Sequence, residues 1–159
     1  MFNKRGFTLI EILVVLLIVG ITVSFTVLML GDFGENRRIV VAAEQFTNYV
    51  KLMQQQAMLE ANTLGIRIHQ NTYQVLRYTQ SNTWTPLSGN TLFRVQLFPK
   101  QTVINLDKSL GKAANPAIVI TASGEISYFK LTLGTSQHPV LATVFSEHNR
   151  ILLTRAKSS

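Results

Sequence analysis

Three histidines, eight carboxylates and no cysteine limit the chemistry open to this chain of 159 residues. His69, His138 and His148 lack the His-Glu-x-x-His spacing that puts two imidazoles on one helix face, and no carboxylates cluster beside them. A metal centre is therefore not expected. Without cysteine there is no disulfide, thiolate zinc site, iron–sulfur cluster or thiol nucleophile. The serines are scattered among turns rather than set in a Gly-x-Ser-x-Gly elbow, and neither a phosphate loop nor a dinucleotide fingerprint occurs. Asp32-Phe33-Gly34 has the form of the magnesium-binding tripeptide of kinases, but the phosphate and catalytic loops that would accompany it are missing. The chain is read as a non-enzyme with no cofactor. The residue that demands an explanation is Glu11, a lone carboxylate near the start of a long apolar run.

That run, Phe7 to Leu30, has 24 residues, no proline and no charge but Glu11. As a helix it would extend about 36 Å against a hydrocarbon thickness of about 30 Å, so residues 7–30 are expected to span a membrane. Lys4 and Arg5 precede it, while Asp32, Glu35, Arg37 and Arg38 beyond it cancel. The positive-inside rule then puts the N-terminus in the cytoplasm. A secretory signal peptide is the plain alternative, but no Ala-x-Ala-like cleavage site follows. A carboxylate inside an isolated spanning helix costs on the order of 2.5–3.5 kcal/mol near the centre and less toward the end. Glu11 should either snorkel to the membrane edge or find a partner.

With 47% hydrophobic and 14% charged residues, the rest of the chain has the composition of one folded domain. The pair Gly31 and Gly34 predicts a kink or a softened turn. From Ile39 the apolar positions Ile39, Ala43, Phe46, Val50, Met53 and Ala57 repeat at 4-3-4-3-4, the stripe of a helix packed on one side, with Met58 assigned to the same core. This helix, 36–62, should end near Asn62 to Gly65. Beyond Gly65 the period becomes alternating. Candidate strands are Gly65 to His69, Tyr73 to Thr79, Thr91 to Leu97, Thr102 to Leu106, Ala117 to Thr121, Ile126 to Leu133, Val140 to Phe145 and Ile151 to Arg155. Phe93, Val95 and Leu97 are expected on one face of their strand, and Phe129, Leu131 and Leu133 on one face of theirs. Turns fall at Gln70-Asn71, Ser88-Gly89-Asn90, Ser123-Gly124, Gly134 to Pro139 and His148-Asn149, and Lys108 to Pro116 is the least patterned stretch. The fold class is α+β: a long N-terminal helix, half membrane-spanning and half amphipathic, laid on antiparallel sheets of about eight short strands.

Lys4-Arg5-Gly6-Phe7-Thr8-Leu9-Ile10-Glu11 resembles the processing motif of type IV pilins and type II secretion pseudopilins. The stretches 65–87, 92–99 and 123–133 follow the order seen in GspH-type minor pseudopilins. The resemblance implies a leader, residues 1–6, cut by a prepilin peptidase between Gly6 and Phe7, with N-methylation of Phe7. It implies that Glu11 acts in subunit assembly, neutralising the N-terminal ammonium of a neighbouring subunit in an apolar core where an unpaired charge would be costly. It further implies a periplasmic domain over 31–159, with its β-region at 64–156, carried on a single-pass inner-membrane helix. Such a subunit would sit near the tip of a secretion pseudopilus beside the major and other minor pseudopilins, with secreted exoproteins as further candidate partners.

The charge leaves a second reading open. Lys plus Arg number 15 against 8 acidic residues, and removing Lys4 and Arg5 with the leader leaves 13 against 8, a net +5. FimU-like and FimT-like minor pilins of type IV pili share the domain, and some minor pilins bind DNA through basic surfaces. Arg150, Arg155 and Lys157 are the only local support here, and three charges in eight residues more often form a solvated edge that keeps a terminal strand from pairing. Nucleic acid is disfavoured. The absence of the C-terminal cysteine pair common in pilus subunits favours secretion. Trp84 reads as a rim aromatic over a sheet edge, and Glu125 as a solvated turn residue.

Overall fold

The structure, a computed structural model, describes residues 8–87, 93–108 and 116–156, apart from the side chains of residues 26–33. The chain divides into two compact units, Met1–Glu35 and Asn36–Ser159. One helix, α1 (Leu9–Leu59), contributes to both.

In the first unit every described side chain from Thr8 to Phe25 is exposed, with Leu9 84% and Phe25 67% accessible. Among the described residues no helix is long and apolar enough to cross a membrane. The stretch 7–30 expected to span extends past them at both ends, through Phe7 and the undescribed side chains from 26 onward. Helical structure runs on through Gly31 and Gly34, the pair read as a kink or a softened turn. Two glycines cost about 1 kcal/mol each relative to alanine, less than breaking the hydrogen-bond ladder between two long apolar and amphipathic stretches.

In the second unit the stripe is as the spacing requires: Ile39, Ala43, Phe46, Val50, Met53 and Ala57 are all fully buried. Met58 departs from expectation, being 47% exposed, because it lies one position beyond Ala57 and so turns about 100° off the stripe. The helix also stops earlier than Asn62. Its last regular residue is Leu59, and Ala61 takes a left-handed conformation (φ 48°). The Asn62 N–H then reaches back to the Ala57 carbonyl at 3.0 Å, the six-to-one bond of a Schellman cap. Sequence reading waits for a glycine at that position, and here an alanine fills it.

Nine strands follow among the described residues: β1 (Leu64–His69), β2 (Thr72–Tyr78), β3 (Trp84–Pro86), β4 (Gln96–Leu97), β5 (Val103–Lys108), β6 (Ile118–Ile120), β7 (Phe129–Gly134), β8 (Ala142–Glu147) and β9 (Arg150–Arg155). They form a five-stranded sheet, β3-β2-β1-β6 with β4 also on β2, and a four-stranded sheet, β5-β7-β8-β9. All pairings are antiparallel. Of the expected strand from Thr91 to Leu97, Thr91 and Leu92 lie outside the described residues; among residues 93–97 only Gln96–Leu97 is strand, and Val95 and Leu97 are exposed. The buried residue there is Phe98, held inward because Asn71 Nδ2 donates to the carbonyls of Phe98 and Pro99, each at 2.8 Å. Ile126 makes only an isolated bridge to Ile120, so β7 starts at Phe129. The short β3 was not expected, since a three-residue strand carries too little alternation to read. The Ser88-Gly89-Asn90 turn and nearly all of the Lys108 to Pro116 stretch lie outside the described residues.

Phe46 joins the two sheets. Its ring meets Tyr73 of β2 at 5.0 Å, Phe98 at 5.7 Å and Phe129 of β7 at 6.5 Å between centroids. Phe129, Leu131 and Leu133 are all buried, as their alternation demands. Two ion pairs tie α1 to the sheets at their margins, Glu60 to Arg77 on β2 and Glu44 to Arg155 on β9.

Candidate functional site

Glu11 is placed by the start of α1. The Thr8 carbonyl accepts from the N–H groups of Glu11 (3.1 Å) and Ile12 (3.3 Å), so Thr8 opens the helix and Glu11 falls in its first turn. Thr-x-x-Glu at a helix start is a capping-box pattern, and a carboxylate there lies at the positive end of the helix dipole. Glu11 is exposed, and its carboxylate has no ion-pair partner among the described residues. Gly6 and Phe7, the expected cleavage and methylation positions, lie outside the described residues, as do Lys4 and Arg5. What the structure offers at this end is an apolar helix surface exposed all round with one carboxylate on it. Such a surface is stable only when lipid or other helices cover it.

The remaining sequence markers sit apart from Glu11. His69 ends β1, His138 lies in the β7–β8 connection and His148 in the β8–β9 turn, all exposed. Among the described residues no three metal-binding side chains gather. Trp84 lies in β3 at the margin of its sheet, its ring 5.0 Å from that of Tyr78. Arg155 is paired with Glu44, Arg150 is exposed in the β8–β9 hairpin, and Lys157 lies outside the described residues. Burial, with Tyr73 beside it, raises the Tyr49 phenol well above its ordinary range, and burial raises Tyr73 as well, so both are neutral core groups.

Two polar residues that the sequence did not single out organise the other end of the domain. Gln54 Nε2 donates to the Gly124 carbonyl at 2.7 Å, and the Ile126 N–H donates to Asn149 Oδ1 at 2.9 Å. They fasten the 121–126 turn to α1 and to the β8–β9 hairpin. Nothing in their local sequence marks them, since both bonds bridge residues far apart in the chain.

An exposed apolar N-terminal helix stretch bearing one carboxylate, continuing into a helix whose stripe is buried by antiparallel sheets, defines a pilin-like assembly subunit. Family models agree: one for the prokaryotic N-terminal methylation motif matches residues 1–27, and one for type II transport protein GspH matches residues 42–149. Type II secretion system protein H of Pseudomonas aeruginosa is 30% identical over 143 residues, covering 82% of this chain and 83% of that protein. Type II secretion system protein H of Escherichia coli K12 is also 30% identical, over 156 residues, covering 92% and 91%. The crystal structure of the minor pseudopilin EPSH from Vibrio cholerae has the same fold, with a TM-score of 0.67 at 16% identity over 78% of this chain and 98% of that one. The solution structure of Escherichia coli GspH has a TM-score of 0.62 at 21% identity, over 76% and 90%. This chain belongs to the GspH family of minor pseudopilins.

Proposed function

We propose that this minor pseudopilin assembles near the tip of a type II secretion pseudopilus and helps export folded proteins across the outer membrane. In this reading a prepilin peptidase removes residues 1–6 between Gly6 and Phe7, and the new amine of Phe7 is methylated. Residues 7–30 hold the chain in the inner membrane, N-terminus cytoplasmic and domain periplasmic, until the helix passes into the filament. Glu11 then neutralises the terminal ammonium of a neighbouring major or minor pseudopilin and fixes the axial register of one subunit against the next. The pairing is specific because both charges are enclosed by apolar side chains, where either one alone would be costly. The domain itself does no chemistry; its two sheets present surfaces to neighbours and to exported proteins.

The observation that carries this reading is the family match over 42–149 joined to a methylation-motif match over 1–27. The alternative of a DNA-binding pilus subunit is not favoured by these matches. The test is the intact mass and N-terminal sequence of the protein from membranes, with and without its prepilin peptidase. A methylated Phe7 start that depends on the peptidase is the expected result. A start at Met1 or beyond Val23 overturns it.

A further inference from the structure

β9 is the outer strand of its sheet, and the geometry of its hairpin shows which backbone groups are left over. His148 (φ 47°) and Asn149 (φ 63°) form a two-residue turn with both φ positive, so Glu147 and Arg150 are the hydrogen-bonded pair that closes it. Alternation then turns the N–H and C=O groups of Arg150, Leu152 and Thr154 toward β8. The Ala156 N–H continues this parity, donating to the Leu141 carbonyl at 2.9 Å. The backbone groups of Ile151, Leu153 and Arg155 face outward, with no strand paired to them among the described residues.

Beside this edge lies an open groove of about 610 Å³, with Lys51, Gln54 and Met58 of α1 on one wall and Arg150, Ile151 and Leu152 on the other. Among the described residues no acidic side chain lines it. Lys51 and Arg150 are exposed, and neither is in an ion pair among the described residues. The groove therefore combines a row of unused backbone donors and acceptors, apolar contacts from Met58, Ile151 and Leu152, and two exposed cations, Lys51 and Arg150, the latter opposite Glu147 across the hairpin.

We infer that an extended acidic segment of a neighbouring pseudopilus subunit adds to the β9 edge in this groove, an inference that rests on the pseudopilin reading above. Main-chain hydrogen bonds to Ile151, Leu153 and Arg155 supply the affinity that any strand would gain. Carboxylates opposite Lys51 and Arg150 supply the selection, because complementary charge steers encounter and like charge is rejected. A second copy of this chain is a poor occupant, since without its leader it still carries 13 basic against 8 acidic residues, a net +5, and would bring cations against cations. An unpaired edge is otherwise an aggregation hazard, and Arg150 guards it against strands that are not acidic.

The test uses the full-length chain in detergent micelles, with amide exchange followed residue by residue. Two short synthetic peptides are compared, one alternating valine with glutamate and one alternating valine with lysine. The glutamate peptide should slow exchange at Ile151, Leu153 and Arg155 while the lysine peptide does not. Lys51→Glu with Arg150→Glu should weaken the glutamate peptide on the order of tenfold and reverse the preference. Both residues are exposed, so the fold is not at risk. Equal protection by both peptides, or protection elsewhere than β9, overturns the inference. In cells, the double variant should be processed at Phe7 as usual yet lose its neighbours on co-purification. Retained neighbours overturn the groove and leave the pseudopilin reading intact, whereas an unprocessed, partnerless unsubstituted chain overturns both. A photo-cross-linker at Thr154 should capture an acidic stretch of another pseudopilus subunit; capture of a secreted protein or of a second copy overturns the assignment.

Discussion

Gln54 and Gly124, 70 residues apart, meet through a 2.7 Å hydrogen bond from the Gln54 amide to the Gly124 carbonyl. One helical turn after Gln54, Met58 lies over the same glycine, its Sδ 2.6 Å from where a Cβ on Gly124 would stand. Gly124 also has a φ of 84°. The backbone conformation thus disfavours a side chain here, and a Cβ would also push the Met58 thioether aside. Gly124→Ala should destabilise the chain by about 1–3 kcal/mol, the range for left-handed strain together with overpacking. Gln54→Ala should cost about 1 kcal/mol, the worth of one partly buried hydrogen bond. Urea unfolding of the full chain followed by Trp84 fluorescence checks both, and a neutral Gly124→Ala would show that the turn is not held by this contact.

Ala61 closes α1 at a φ of 48°, a conformation that costs a residue with a Cβ roughly 1–2 kcal/mol. Replacing it with glycine removes that strain, offset in part by the greater freedom glycine gains when unfolded. Ala61→Gly should raise stability by about 0.5–1 kcal/mol, seen as a later urea midpoint with an unchanged slope. An earlier midpoint would count against the Schellman cap.

Among the described residues, Phe46 is the single side chain in edge or tilted contact with aromatic rings from both sheets. Phe46→Ala should cost about 3–5 kcal/mol, the range for emptying a large buried aromatic site. The cavity would open between the two sheets, so amide protection near Tyr73 and Phe129 should fall together. Loss confined to one sheet would show that the ring does not join them.

Tyr49 has its phenol pKa raised by burial and by Tyr73 beside it. The folded chain therefore holds this proton more tightly than the unfolded chain, whose tyrosine titrates near 10. The associated stability is fully present below about pH 10 and is lost as pH rises from there toward the folded value. Tyr49→Phe should flatten the alkaline limb of a stability–pH curve and leave folding at neutral pH in place. An unchanged alkaline limb would shift the cause to other groups.

Glu11 is exposed on α1, in the unit separate from the sheets. Glu11→Ala should leave the urea midpoint of the domain within about 0.5 kcal/mol of the parent, as surface substitutions usually do. The same variant should be depleted from the tip complex when its neighbours are purified. Normal recovery with those neighbours would remove the charge-pairing role.

What the sequence determined by itself was whatever is encoded in local periodicity and in contiguous motifs. A 4-3-4-3-4 stripe can bury one face only as a helix, so Ile39 to Ala57 were readable, and so were Phe129, Leu131 and Leu133 as one face of a strand. The stretch from Lys4 to Glu11 is legible for the same reason, its residues being neighbours in the chain, and it led to the family before any fold was known. Tertiary structure decided the rest. It stopped the helix at Leu59 rather than near Asn62 to Gly65, with Ala61 in a left-handed conformation whose strain the 6→1 bond to Ala57 offsets. It turned Met58 out over Gly124 and left Val95 and Leu97 exposed, because Asn71 pulls Phe98 inward. It also left the β9 edge, beside Lys51, with no strand paired to it among the described residues. Each of these depends on which distant residues meet, and no local window of sequence contains both partners.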